Sequence, residues 1–177
     1  MKKQIFVIGL DKFNLNKLRR IPEGRDCDFL PALEISEIRQ VESYPMEKLI
    51  QRCFDRIEKN GKIDAIVSYY DFPGTTLLPI IARKYGLPGP SLESIMKCEN
   101  KYWSRLEQSK VIPEHIPVFK AFDPFKVGVF DELGMVYPCW IKPIKSFRSF
   151  LAYKVNSEAQ FYEFMEEVKK HINYISE

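Results

Sequence analysis

Lys142 has the clearest chemical reason to be noticed. It lies inside Tyr137-Pro138-Cys139-Trp140-Ile141-Lys142-Pro143-Ile144, a run that is otherwise apolar and strand-like. Strand alternation puts Trp140 and Lys142 on one face. An ammonium in such a run must reach water, pair with an acid or meet a bound anion, because burying it alone is costly. A solvent-side lysine guarding a strand edge meets the first condition; a phosphate contact meets the third. The next residues are Lys145, Ser146, Phe147, Arg148, Ser149 and Phe150. Two cations and two hydroxyls on a turn between strands suit phosphate oxygens, and equally an ordinary solvated hairpin turn. Lys101 stands in the first turn of a predicted helix, where the helix dipole disfavours a cation by roughly a few tenths of a kcal/mol. A nearby phosphate would reverse that preference; a surface lysine would tolerate it.

Other chemistries find little support. His115 and His171 are isolated from each other and from every cysteine, so no Ser-His-Asp or Cys-His set can be assembled. The chain has no Walker A pattern and no Gly-x-Gly-x-x-Gly. Its carboxylates form no spaced cluster in the second half that would bind magnesium. Cys27, Cys53, Cys98 and Cys139 lack any Cys-x-x-Cys spacing, which predicts free buried thiols in a reducing cytosol.

These residues need a scaffold, and the composition supplies one. Of 177 residues 45% are hydrophobic, enough for a buried core and against wholesale disorder. The net charge of +3 is mild, and the densest basic patch, Lys17, Arg19 and Arg20, sits on an ordinary amphipathic stretch. Nucleic acid is therefore not an expected partner. No run approaches the roughly 18 apolar residues of a membrane helix. Ile5 to Leu10 is too short for a signal segment and reads as a first buried strand; with the free thiols, a cytoplasmic protein is expected.

The first half alternates strand and helix. Strands are predicted at 5–8, 27–33 and 63–69, with Pro31 limiting the second to an edge or a strand end. Phe13, Leu15, Leu18 and Ile21 suggest a short helix. Met46, Leu49, Ile50, Cys53, Phe54 and Ile57 mark a strongly amphipathic one, stopped by Asn60-Gly61. A further helix is predicted over 76–85. This order implies parallel pairing in a Rossmann-like three-layer unit, with ligands beyond the carboxyl ends of the strands. Leu87-Pro88-Gly89-Pro90-Ser91 is the candidate boundary. Beyond it, two short helices (92–98 and 101–108) precede strands predicted at 117–122, 136–144 and 149–155. A last helix opens with a Ser157-x-x-Gln160 capping box. An antiparallel sheet under one helix makes a small α+β second lobe.

In order and spacing these segments resemble the N-terminal half of an ATP-grasp ligase, over nearly the whole chain and most specifically over 64–172. Asp64-Ala-Ile-Val-Ser-Tyr-Tyr-Asp71 and Ile81-Ala-Arg-Lys-Tyr-Gly-Leu-Pro-Gly-Pro90 are similar to the end of the preATP-grasp domain. Lys101-Tyr-Trp-Ser-Arg105 is similar to the family's "lysine, then arginine" helix, and the segment 111–117 to the Val-Ile-Pro…Ile-Pro stretch after it. Tyr137 to Pro143 is similar to its "Tyr-Pro-(apolar)₃-Lys-Pro" strand, Ser149 to Val155 to the segment after its phosphate loop, and Asn156-Ser157-Glu158 to the start of its next helix.

The resemblance implies a preATP-grasp domain at 1–90 and a first ATP-grasp lobe at 91–177. It implies ATP as cofactor, with Lys101 and Lys142 neutralising its phosphates and the turn with Lys145, Ser146, Arg148 and Ser149 closing over them. Magnesium would be held by the family's second lobe, which follows the point where this chain stops and also supplies the adenine hinge and most of the acceptor site. The partners implied are ATP and, in the full-length protein, a small-molecule carboxylate. The resemblance gives this chain no catalytic residue of its own. It reads as part of a larger enzyme, or as a short non-catalytic relative that binds nucleotide or protein. The exposed lobe face leaves self-association open. One departure stands out: the family's phosphate loop is glycine-rich, yet this chain has no glycine after Gly134. A further alternative is a receiver-like phosphoacceptor module built on Asp11, Asp71 and Lys142.

Overall fold

The computed structural model describes residues 2–39, 44–126, 128–134, 136–146 and 149–172. By contacts the chain divides into two compact units, Met1–Ile95 and Met96–Glu177.

The first unit is built on three parallel strands, β1 (Lys3–Leu10), β2 (Cys27–Glu34) and β3 (Ala65–Ser68), in the order β2-β1-β3. Alternation places Phe6 and Ile8 on one face of β1 and Val7 on the other, and all three are buried. Both faces of the central strand are therefore covered, as parallel pairing requires. β2 is an edge strand, as Pro31 predicts. The register slips beside that proline: Val7 faces Pro31, but Ile8 already faces Leu33. It slips again at Gly9, whose φ of +80° only glycine takes without strain.

Helices α1 (Lys12–Leu18), α2 (Met46–Asn60) and α3 (Gly74–Lys84) belong to this unit. α2 turns Leu49, Cys53 and Ile57 into the core and ends at Gly61 in a left-handed cap, as the Asn-Gly signal predicts. α3 starts two residues before the expected Thr76 and adds Leu77 and Ile81 to the same core. α1 buries none of its own residues.

Helix α4 (Leu92–Glu99) contains the division between the units, and α5 (Lys101–Ser109) follows after one residue. The second unit then holds α6 (Val129–Leu133), strands β4 (Cys139–Ile141) and β5 (Tyr153–Val155), and α7 (Glu158–His171). β4 and β5 pair antiparallel, with Trp140 opposite Lys154. Ile141 and Val155 point inward onto Phe161, Met165 and Val168 of α7.

The sheet here is smaller than expected. Residues 117–122 form no strand; Phe119 and Phe122 instead anchor singly, on Tyr102 and Phe161. β4 is cut to three residues between Pro138 and Pro143, neither of which has an N–H for a ladder. β5 starts only at Tyr153, because Ser149 and Leu151 take positive φ. Ser157 caps α7 through the Gln160 N–H, but the Gln160 side chain returns to the Asn156 N–H at 2.9 Å, one residue earlier than a capping box requires.

The four cysteines are free, as expected, but of these only Cys53 is buried; Cys98 is exposed. Burial pushes the Cys53 thiol up to about 12. Among the described residues, no helix is long and apolar enough to cross a membrane.

Candidate functional site

The site begins at the joint between α4 and α5. Asn100 caps α5, its side chain accepting the Trp103 N–H at 2.9 Å, and this makes Lys101 the first helical residue. The Lys101 N–H donates to the Ile144 carbonyl at 2.8 Å. Its ammonium turns to the same stretch, donating to the Ser146 carbonyl at 2.9 Å and to the Ser146 hydroxyl at 3.2 Å. Residues far apart in the chain are thus joined by three hydrogen bonds.

Lys142 is the second cation. It directly follows β4, exposed, on the face that Trp140 shares by alternation; Trp140 is 63% exposed. Burial, and then the positive charge of Lys142, hold the Lys101 ammonium below the usual lysine range. Lys145 pairs with Glu99 at 3.2 Å. The structure therefore brings Lys101, Lys142, Lys145 and Ser146 together. Ser149 is exposed, its carbonyl accepting the Ala152 N–H at 3.1 Å. Arg148 lies outside the described residues.

The arrangement suits a multiply charged anion. Among the described residues, no carboxylate pairs with Lys101 or Lys142 within 4.0 Å. Lys101 is half-buried against a neutral carbonyl and hydroxyl, so its charge is solvated but not neutralised. A phosphate oxygen would offset the repulsion that Lys142 exerts on Lys101. The residues present thus fit nucleotide phosphates. Among the described residues, no group of three or more His, Cys, Asp or Glu side chains gathers.

Two contributors escaped the sequence reading. Asn100 had a readable signal, a capping residue directly before a helix. Glu99 had none, because its partner lies 46 positions away (145 − 99) and pairing at that separation leaves no local pattern.

At the carboxyl ends of the parallel strands the Asp11 and Tyr69 side chains are engaged structurally. Asp11 caps α1, accepting the Asn14 N–H at 2.7 Å and the Asn14 side-chain amide at 2.8 Å. Tyr69 donates to the Gly9 carbonyl and reaches Asp11 at 3.1 Å. These hydrogen bonds, that of the Asn14 backbone first, hold the Asp11 carboxyl below its usual range.

No family model matches this sequence, and no curated protein matches it. Solved structures do. The chain shares the fold of a ligase. Superposition on the crystal structure of L-amino acid ligase from Bacillus licheniformis gives a TM-score of 0.69 at 16% identity. The match covers 96% of this chain and 41% of the ligase, so the chain spans less than half the length of the protein it matches. At that identity the likeness is one of fold.

Proposed function

We propose that this chain is the N-terminal part of an ATP-grasp carboxylate–amine ligase and that it supplies contacts to the phosphates of ATP. In this reading 1–90 is a Rossmann-like preATP-grasp domain and 91–177 the first ATP-grasp lobe. The observation that carries it is the meeting of Lys101 with the stretch after Lys142, two lysines 41 residues apart (142 − 101). The motif order and the shared fold with a ligase support the same reading. In the complete enzyme a substrate carboxylate oxygen attacks the γ-phosphorus of ATP and ADP leaves. An amine then attacks the acyl carbon and phosphate leaves. Lys101 and Lys142 would bind and orient the phosphates and offset the charge that moves during transfer. Magnesium, which this reading assigns to carboxylates of the second lobe, would supply further positive charge against the phosphates.

The test is calorimetric titration of the chain with ATP in the absence of metal. Binding is expected, weakening with added salt, and Lys101→Ala and Lys142→Ala should each weaken it at least about tenfold. No binding by the wild-type chain, or unchanged affinity in both variants, would refute the reading.

The absence of glycine after Gly134 favours one second reading, a non-catalytic relative that acts in protein interaction. Formation of ADP with amino acid substrates by the protein isolated from its own cells would exclude it.

A further inference from the structure

Glu99 closes α4 and Lys101 opens α5, with Asn100 alone between them. Each charge opposes the dipole of its own helix, a carboxylate at a C-terminus and an ammonium at an N-terminus. Both find their partners on the stretch 144–146. The Glu99 carboxylate takes the Lys145 ammonium, while Lys101 takes the carbonyls of Ile144 and Ser146. The Glu99 side chain is 13% exposed, so this ion pair is screened less than one on open surface. On charge alone, a carboxylate among three lysines is an obstacle to an anion.

We infer that Glu99 is a positioning residue for the anion site: it holds Lys145, and with it the stretch 144–146, in the arrangement that Lys101 and Lys142 present to a phosphate. The inference rests on the nucleotide reading above and adds to it a residue that touches no ligand. A stretch ordered only when ligand arrives subtracts its ordering from the affinity, whereas one already held does not. Two roles for Glu99 therefore predict opposite signs. As a mere negative charge it repels phosphate, and neutralising it tightens binding. As a positioning residue it is needed, and neutralising it weakens binding.

The experiment uses the whole chain with Glu99→Gln and two readouts. The first needs no ligand. The Lys101 amide, which donates to Ile144, should exchange its hydrogen about tenfold faster in the variant; an unchanged rate overturns the inference. The second is affinity for ATP and for inorganic tripolyphosphate without metal, expected about tenfold weaker; equal or tighter binding overturns it. Lys145→Met removes the pair from its other side and should speed exchange of the Lys101 amide alike, a readout that the lost cation itself does not move, which keeps the test open should Glu99→Gln fail to fold. Added to Lys145→Met, Glu99→Gln should cause less loss than it does alone, and a full second loss overturns the inference. A wild-type chain that binds neither probe refutes the nucleotide reading, and the exchange rate at Lys101 then decides alone whether Glu99 anchors the stretch.

Discussion

Two residues before β5 adopt a backbone that glycine takes freely and other residues resist: Ser149 at φ 59° and Leu151 at φ 53°. Left-handed backbone costs an L-residue about 1–2 kcal/mol. The two differ in what their side chains return. Leu151 is 7% exposed and packs in the core with Val155 and Phe161, while Ser149 is exposed. The same substitution should therefore act in opposite directions. Ser149→Gly should stabilise by about 0.5–1 kcal/mol, the relief less the extra freedom glycine gives the unfolded chain. Leu151→Gly should destabilise by about 2–4 kcal/mol, because the lost burial exceeds the relief. Urea unfolding measures both, and a loss of stability in Ser149→Gly would show that the strain is not there. None of this was legible in the sequence, where the lack of glycine after Gly134 argued for an altered loop. Residue type does not reveal the sign of φ when burial of a neighbour sets it.

Among the elements, those with their own periodicity were readable and those that depend on neighbours were not. α2 announces itself through Leu49, Cys53 and Ile57 and its Asn60-Gly61 stop. The stretch 117–122 has the residues of a strand, but its aromatic rings are claimed one by one by helices. Equally unreadable was the junction that ties the end of β2 to α2. There Glu37 accepts from Arg52 at 2.6 Å, from Arg56 at 2.7 Å and from the Glu34 N–H at 2.7 Å, while Arg56 also donates to the Ala32 carbonyl at 3.2 Å. Burial pushes the Glu37 carboxyl up, but the donors, Arg56 foremost, outweigh it and hold the group below its ordinary 4.5. A carboxyl lowered in the folded state stabilises fully above its unfolded value and loses that contribution as pH falls through the folded value. Glu37→Gln should therefore destabilise near neutral pH by about 1–3 kcal/mol. The gap between variant and wild type should close as the pH drops below about 4. Denaturation curves across that range check it; a gap that stays constant would assign the effect to packing rather than charge.

At the scale of the whole molecule, the change of texture after the 87–91 segment was visible in the sequence, and the two cores explain why it matters. One core gathers Phe6, Ile8, Leu33 and Ile81, the other Ile141, Val155, Phe161 and Met165, and they have no residue in common. All the phosphate contacts proposed above lie in the unit Met96–Glu177. These facts separate stability from binding in a way one experiment can read. Ile81→Ala should lower one calorimetric transition and Phe161→Ala the other, each truncation removing about 2–5 kcal/mol. ATP, which stabilises whatever part binds it, should raise only the transition that Phe161→Ala lowers. The shift should disappear in Lys142→Ala while the transition itself remains. If ATP instead raises the transition that responds to Ile81→Ala, the nucleotide sits on the parallel sheet, at the carboxyl ends of β1 and β3, and the lysines are surface residues after all.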